Sequence, residues 1–309
     1  MESRIRAGNM LRQAIELYGL TTATFGRSEL GRREPVVLRN KAKVPLKYQD
    51  NPATNRLRQE MRQINHWIAA ADITYSGGNA EGRRIDAGDR WLRRIFTPDS
   101  FEHHGRLYGG FWQALNNAER LEGIRIAGQR VAVLDYGQSA PRILYGIAKE
   151  RGLIAEAPQW VDAYAIPGLE RSRPLVKQAF NSMLNASKRM TQPPDDPRRA
   201  ADDDGYDETA VRYQLLAAGK SWAEVRNLIE DFHAPVLPLF YCRQGLTITR
   251  QESDILVAVL LACGEQGIAA LPIHDALIVP AECREEAAGI MRGTFHRYTH
   301  LHIPISECM

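Results

Sequence analysis

Two apolar segments of this chain run directly into an aspartate, and this constrains the fold more than any other feature. Residues 130–135, Arg-Val-Ala-Val-Leu-Asp, form a short apolar run ending in a carboxylate. That pattern predicts a buried strand whose last residue, Asp135, reaches a site at the end of a sheet. Residues 268–279 place an apolar segment on either side of His274-Asp275, which predicts a hairpin with the polar dipeptide at or near its bend. The two aspartates are 140 residues apart, so only the tertiary fold can bring them together.

An aspartate flanked by apolar strand residues is costly unless it is paired or coordinated. Nucleotidyl transfer uses such a pair, because two divalent ions about 3.5–4 Å apart clamp the attacking 3′-oxygen, the phosphorus and the leaving pyrophosphate. Hard cations take carboxylate oxygens, and magnesium needs few of them because substrate phosphates and water complete its shell. Taken singly, Asp135 reads as readily as a helix-capping strand-end residue, and Asp275 as an ordinary turn aspartate.

Helical periodicity appears elsewhere. Leu57, Met61, Ile64 and Ile68 fall on one stripe, and Gly77-Gly78 marks the loop beyond. A helix starts near Ala140 and runs through Ile143, Leu144 and Ile147. Another spans Arg173 to Lys188 on Val176, Phe180, Met183 and Leu184, with Pro174 in its first turn. Ser221-Trp-Ala-Glu224 and Thr249-Arg-Gln-Glu252 each have the form of a capping box opening a helix, the second stopped by Gly264. A last helix is expected from Glu282 to Tyr298. Residues 1–55 carry weak periodicity and the breakers Pro35, Pro45 and Pro52, so a loosely packed arm is expected there. Residues 191–207, rich in Pro, Asp and Arg, read as an exposed loop.

The net charge is only +3 but unevenly placed: residues 1–110 hold 19 Lys and Arg against 12 Asp and Glu, and the remainder is net acidic. A basic N-terminal surface suits a polyanion, or is simply solvated. No apolar run approaches the about 20 residues that cross a bilayer, and no signal peptide is evident, so a cytoplasmic location with no membrane partner is expected. Cys242, Cys263, Cys283 and Cys308 lack the short spacing of a zinc site and read as reduced and structural.

Asp135-Tyr136-Gly137-Gln138-Ser139-Ala140-Pro141-Arg142 resembles motif A of family A (Pol I-like) DNA polymerases, D-Y-S-Q-x-E-x-R, at the Asp, Tyr, Gln and Arg. Ile273-His274-Asp275 resembles motif C of that family, and Arg173-Pro-Leu-Val-Lys177 the R-x3-K start of motif B. Gly105-Arg106-Leu107-Tyr108 with Gln113 is similar to the G-R-L-S stretch and following Gln that touch the primer–template minor groove. The four lie in the family's order over residues 105–275, more than half the chain. Each alone is a modest signal, and motif B is a weak one.

The resemblance implies an α/β (α+β) right-hand polymerase palm with an antiparallel sheet, reduced helical fingers and an N-terminal helical or arm region, in a small divergent member without a proofreading domain. The expected division is 1–100 as a basic arm with a thumb-like part, 101–149 as palm with motif A, 150–230 as fingers with motif B, and 231–309 as palm with motif C and a C-terminal helix. Asp135, Asp275 and the main-chain carbonyl of Tyr136 would hold two Mg²⁺ ions, with Mn²⁺ as a substitute. Lys177 would act in catalysis, and Arg173, Lys177, Asn181, Asn185, Gln138 and Ala140 would line the nucleotide. Arg173 and Lys177 lie on one helix face, near an N-terminus that favours phosphate; a solvated basic face has the same pattern. Arg106, Gln113, Arg142 and His274 would meet nucleic acid. The partners implied are a DNA primer–template and nucleoside triphosphates, with RNA as a further candidate; the sequence does not specify protein partners.

The sequence also departs from the family. Ala140 stands where a Glu blocks the ribose 2′-hydroxyl, and Asn181 and Asn185 stand where motif B carries aromatics. Ala276 replaces the carboxylate that usually follows His-Asp. Weak sugar discrimination is therefore expected, which brings an RNA polymerase or primase-like enzyme into consideration. A degenerate palm that only binds nucleic acid, and a metal-dependent nuclease, are the other readings. Retention of both carboxylates speaks against the first, and the cations on the Arg173–Lys177 face against the second.

Overall fold

The computed structural model describes residues 9–18, 33–77, 85–194 and 210–308. Most of the 191–207 segment and Gly78 lie outside them. The centre of the molecule is a four-stranded antiparallel sheet in the order β10 (Ile305–Cys308), β7 (Val131–Tyr136), β9 (Ala276–Pro280) and β8 (Leu271–Ile273). β9 is buried along its whole length and β7 at every residue except Asp135, which is why both read as continuous apolar runs rather than alternating ones. The register sets Leu134 against Leu277 and Asp135 against Ala276, leaving Asp275 at the turn between β8 and β9.

Helices α8 (Gln244–Glu265) and α9 (Arg284–Thr299) pack on this sheet, and α4 (Ser139–Glu150) packs on both of them. Tyr136 turns its ring into that layer, where its hydroxyl donates to Met291 O at 2.9 Å. The expected apolar positions of α4 (Ile143, Leu144 and Ile147) are buried. Against α8 lies α2 (Pro52–Ala70), with Leu57, Met61, Ile64 and Ile68 buried as the periodicity requires.

A helical segment joins the two halves of the central sheet. It contains α5 (Arg173–Asn185), α6 (Val211–Ala218) and α7 (Trp222–Phe232). The capping box expected at Ser221/Glu224 opens α7 with both reciprocal hydrogen bonds. α5 reaches α8 closely because Gly245 has no side chain: a Cβ there would lie 2.3 Å from Asn185 Oδ1. α5 ends at Asn185, three residues before the expected Lys188.

Two expectations need correction. Residues 1–55 are not wholly an arm: α1 covers Asn9–Leu17, and β1 (Val36–Arg39) and β2 (Pro45–Leu46) join β4 (Leu92–Phe96) and β5 (His104–Gly109) in a second sheet ordered β2-β1-β4-β5. β1 pairs parallel to β4, far away in sequence, and local periodicity does not report such long-range pairing. The boundary expected at residue 100 accordingly falls inside the β4–β5 hairpin. Thr249 does not cap a helix either. α8 starts at Gln244, and the Thr249 hydroxyl donates back to Gly245 O at 2.8 Å within it. The short strands β3 (Ile73–Tyr75) and β6 (Ile124–Ile126), with α3 (Asn117–Gly123), complete the described structure. Cys242, Cys263 and Cys283 are free thiols, and no helix among the described residues is long and apolar enough to cross a membrane.

Candidate active site

Asp135 and Asp275 meet at one end of the central sheet, where β7 ends and the β8–β9 turn lies beside it. Each stands near a non-glycine residue in the left-handed region: His274 at φ 53° immediately before Asp275, and Gln138 at φ 65° where β7 turns into α4. Such backbone costs about 1 kcal/mol or more per residue and persists only where the surroundings enforce it. Burial and the adjacent Asp275 charge push the Asp135 carboxyl up to about 6, against the pull of Lys177 and a backbone hydrogen bond at Tyr136. Two like charges held this close favour an arriving cation.

The donor set can be weighed against a divalent ion. No group of three or more His, Cys, Asp or Glu side chains among the described residues is arranged to hold a metal alone. Two carboxylates at an open edge are enough for magnesium when substrate oxygens and water supply the remaining positions, and too few for a closed protein site. The residues fit a substrate-completed metal site. Tyr136 can contribute only its carbonyl, since its side chain faces the opposite layer.

The remaining expected residues divide into two groups. Lys177, exposed on α5, acts electrostatically on Asp135. Arg173, one turn earlier, is held by Asp162 at 2.5 Å and lies over the Tyr164 ring at 5.4 Å. Asn181 is half-buried and its carbonyl accepts from Asn185 Nδ2 at 2.8 Å. Ala140 is half-buried in the first turn of α4. Arg106 on β5 and His274 both lie near Asp275, and burial with the Arg106 charge holds the His274 imidazole below its usual range. His104, stacked on Tyr108, is held down to about 4 by burial, Arg106 and His274. The His104 ring is therefore neutral near pH 7.

The other group is engaged with the protein's own main chain. Arg142 is buried, donating to His302 O at 2.8 Å and Trp160 O at 3.2 Å. Gln138 Oε1 accepts from Ala163 N at 2.7 Å and its Nε2 donates to Val161 O at 3.1 Å, so it anchors the loop leading to Arg173. Gln113 Nε2 donates to Leu107 O and Pro272 O, and its Oε1 accepts from Gly109 N. With Trp112 Nε1, which also donates to Pro272 O, it covers the edge of β8. Side chains so engaged brace the site.

Sequence reasoning missed Glu252. It is buried at the centre of the site, accepting from Arg106 Nη2 at 2.5 Å and from Ser139 Oγ at 2.8 Å. Burial and Asp275 raise its carboxyl, and Arg106 and Ser139 oppose that rise. A signal was present: Glu252 lies four residues after Ile248 and four before Leu256, on a stripe that is buried throughout. Reading Glu252 as the end of a capping box concealed a charge on an apolar face. Gly105 supports the arrangement from β5, since its left-handed φ of 69° turns its carbonyl to accept from Arg94 Nε and Ser253 Oγ.

No family model matches this chain, and no curated protein does. Among solved structures it is similar to the POL domain of Pol1 from M. smegmatis in complex with DNA primer-template and dNTP, at 12% identity and a TM-score of 0.42, over 82% of this chain and 50% of that one. The chain thus spans about half the length of that polymerase structure, and a likeness this distant assigns neither family nor activity.

Proposed function

We propose that the chain is a template-directed nucleotidyltransferase of the family A DNA polymerase type, with the central sheet as its palm. The observation that supports this best is the meeting of Asp135 and Asp275 at one sheet end, with Lys177 acting on Asp135 from α5. Divalent ions, when bound, would stabilise charge on the attacking and leaving oxygens. Asp135, Asp275 and the Tyr136 carbonyl would hold them, as Mg²⁺ or Mn²⁺. Lys177 and Arg173 would neutralise the triphosphate, and Lys177 would give a proton to the departing pyrophosphate. The brace from Asp162 keeps Arg173 in a fixed pose, so its ordering entropy is met before substrate arrives.

Ala140 and the Asn181–Asn185 face leave the sugar pocket without a carboxylate gate or stacking rings from α5, which favours use of ribonucleotides beside deoxynucleotides. An RNA polymerase or primase-like activity is the second reading, on that observation. The test is extension of a labelled primer on a DNA template with Mg²⁺ or Mn²⁺ and either sugar series. Growth with both series within about 10³-fold supports the proposal, that limit being roughly 4 kcal/mol of discrimination. A primer that shortens instead identifies a nuclease. A folded protein that binds primer–template without changing its length identifies a degenerate palm.

A further inference from the structure

The site holds three carboxylates, Asp135, Asp275 and Glu252, near two cations, Arg106 and Lys177. Glu252 is the deepest of the three, with 7% of its surface exposed. A buried ion pair gains little stability over apolar packing, and this one lies beside further negative charge, so structural support alone does not account for it.

Hydrogen-bond chemistry gives it a purpose. Ser139 has a single hydroxyl hydrogen, and two carboxylates face it. Glu252 Oε1 takes it at 2.8 Å, while Asp275 Oδ2 lies 3.4 Å from the same oxygen. The shorter contact takes the hydrogen, so the longer one to Asp275 is at most a weak share of it. The second oxygen of Glu252 is taken by Arg106 at 2.5 Å, so both partners of Glu252 are donors.

We infer that Glu252 is a positioning residue of the metal centre: it draws the Ser139 hydrogen away from Asp275, keeping that carboxylate free for a cation, and holds Arg106 beside it. This inference rests on the nucleotidyltransferase reading. A glutamine cannot replace Glu252, because it has one acceptor oxygen and one amino group. With the oxygen accepting from Arg106, the amino group donates to Ser139, and the serine hydrogen turns to Asp275. Deleting the hydroxyl then removes the competitor.

The test is Mn²⁺ binding to the full chain without nucleotide or nucleic acid, followed by electron paramagnetic resonance of the free ion, with thermal unfolding to show that each variant folds. Glu252→Gln is expected to weaken Mn²⁺ binding by about tenfold or more, as changes around metal ligands do. The double variant Ser139→Ala/Glu252→Gln is expected to recover to within about threefold of Ser139→Ala, well inside that loss. A merely structural glutamate would give no such rescue. Unchanged binding in Glu252→Gln, or failure of the serine deletion to restore it, overturns the inference. Asp135→Ala and Asp275→Ala separate the two levels: if they abolish Mn²⁺ binding and primer extension while Glu252→Gln is silent, only the role of Glu252 falls. If they change neither, the nucleotidyltransferase reading falls with it.

Discussion

Asp135→Asn should stabilise the metal-free protein at neutral pH, although it removes a residue proposed for catalysis. Asp135 carries a carboxyl pushed from its ordinary 3.8 up to about 6 by burial and by Asp275. Below pH 3.8 the group is protonated in both folded and unfolded chains, and it contributes nothing. Between 3.8 and 6 the folded chain binds more protons than the unfolded one, so stability falls as pH rises through this window. Above 6 the full destabilisation is present. At about 1.4 kcal/mol per pH unit the upper limit is about 3 kcal/mol. Asp135 is exposed at the end of the sheet, and solvent screening reduces this to about 1 kcal/mol. For a chain of this length that is a rise of about 2 °C in melting temperature. The assay is urea unfolding of wild type and Asp135→Asn in EDTA from pH 4 to pH 7. The expected gap is near zero at pH 4 and grows to its plateau by pH 7. A gap that is absent at pH 7, or larger at pH 4, refutes the electrostatic reasoning.

Three further outcomes follow from named contacts. Lys177→Ala removes the exposed cation that acts on Asp135 and should lower kcat/KM for the nucleotide by about 10²-fold; steady-state extension kinetics with no such loss would separate α5 from the triphosphate. Ala140→Glu places a carboxylate in the first turn of α4 and should raise the deoxy-to-ribo incorporation ratio by about tenfold or more, whereas an unchanged ratio would show that the sugar lies elsewhere. Arg94→Ala removes a guanidinium that is 1% exposed, bonded to Asp254 at 2.5 Å and Gly105 O at 2.9 Å, and should cost about 3–5 kcal/mol in urea unfolding; a loss below about 1 kcal/mol would mean the network relaxes around the gap.

The carboxylate pair was legible because its strands are buried on both faces, so Val131–Leu134 and Ala276–Val279 read as unbroken apolar runs in which an aspartate stands out. The stripe of α2 and the box opening α7 were legible because local spacing alone specifies them. β1 was not, since its partner β4 lies far along the chain and Pro35 and Pro45 suggested a loop. Glu252 was hidden by a local rule that fits a helix start as well as a buried charge. Arg142 has partners that no motif reports: its guanidinium holds the carbonyls of Trp160 and His302. A motif records residue types in order, and only the packing around each one decides whether it faces a ligand or the core.

The most direct test of the central claim is single-nucleotide addition with a labelled primer and one known templating base, offering the four nucleotides separately in Mg²⁺. Wild type is expected to add the complementary nucleotide in preference to the other three, while Asp135→Ala and Asp275→Ala, folded and still binding primer–template, add none. Addition that ignores the templating base, or that persists in either aspartate variant, would contradict a template-directed reaction centred on this pair.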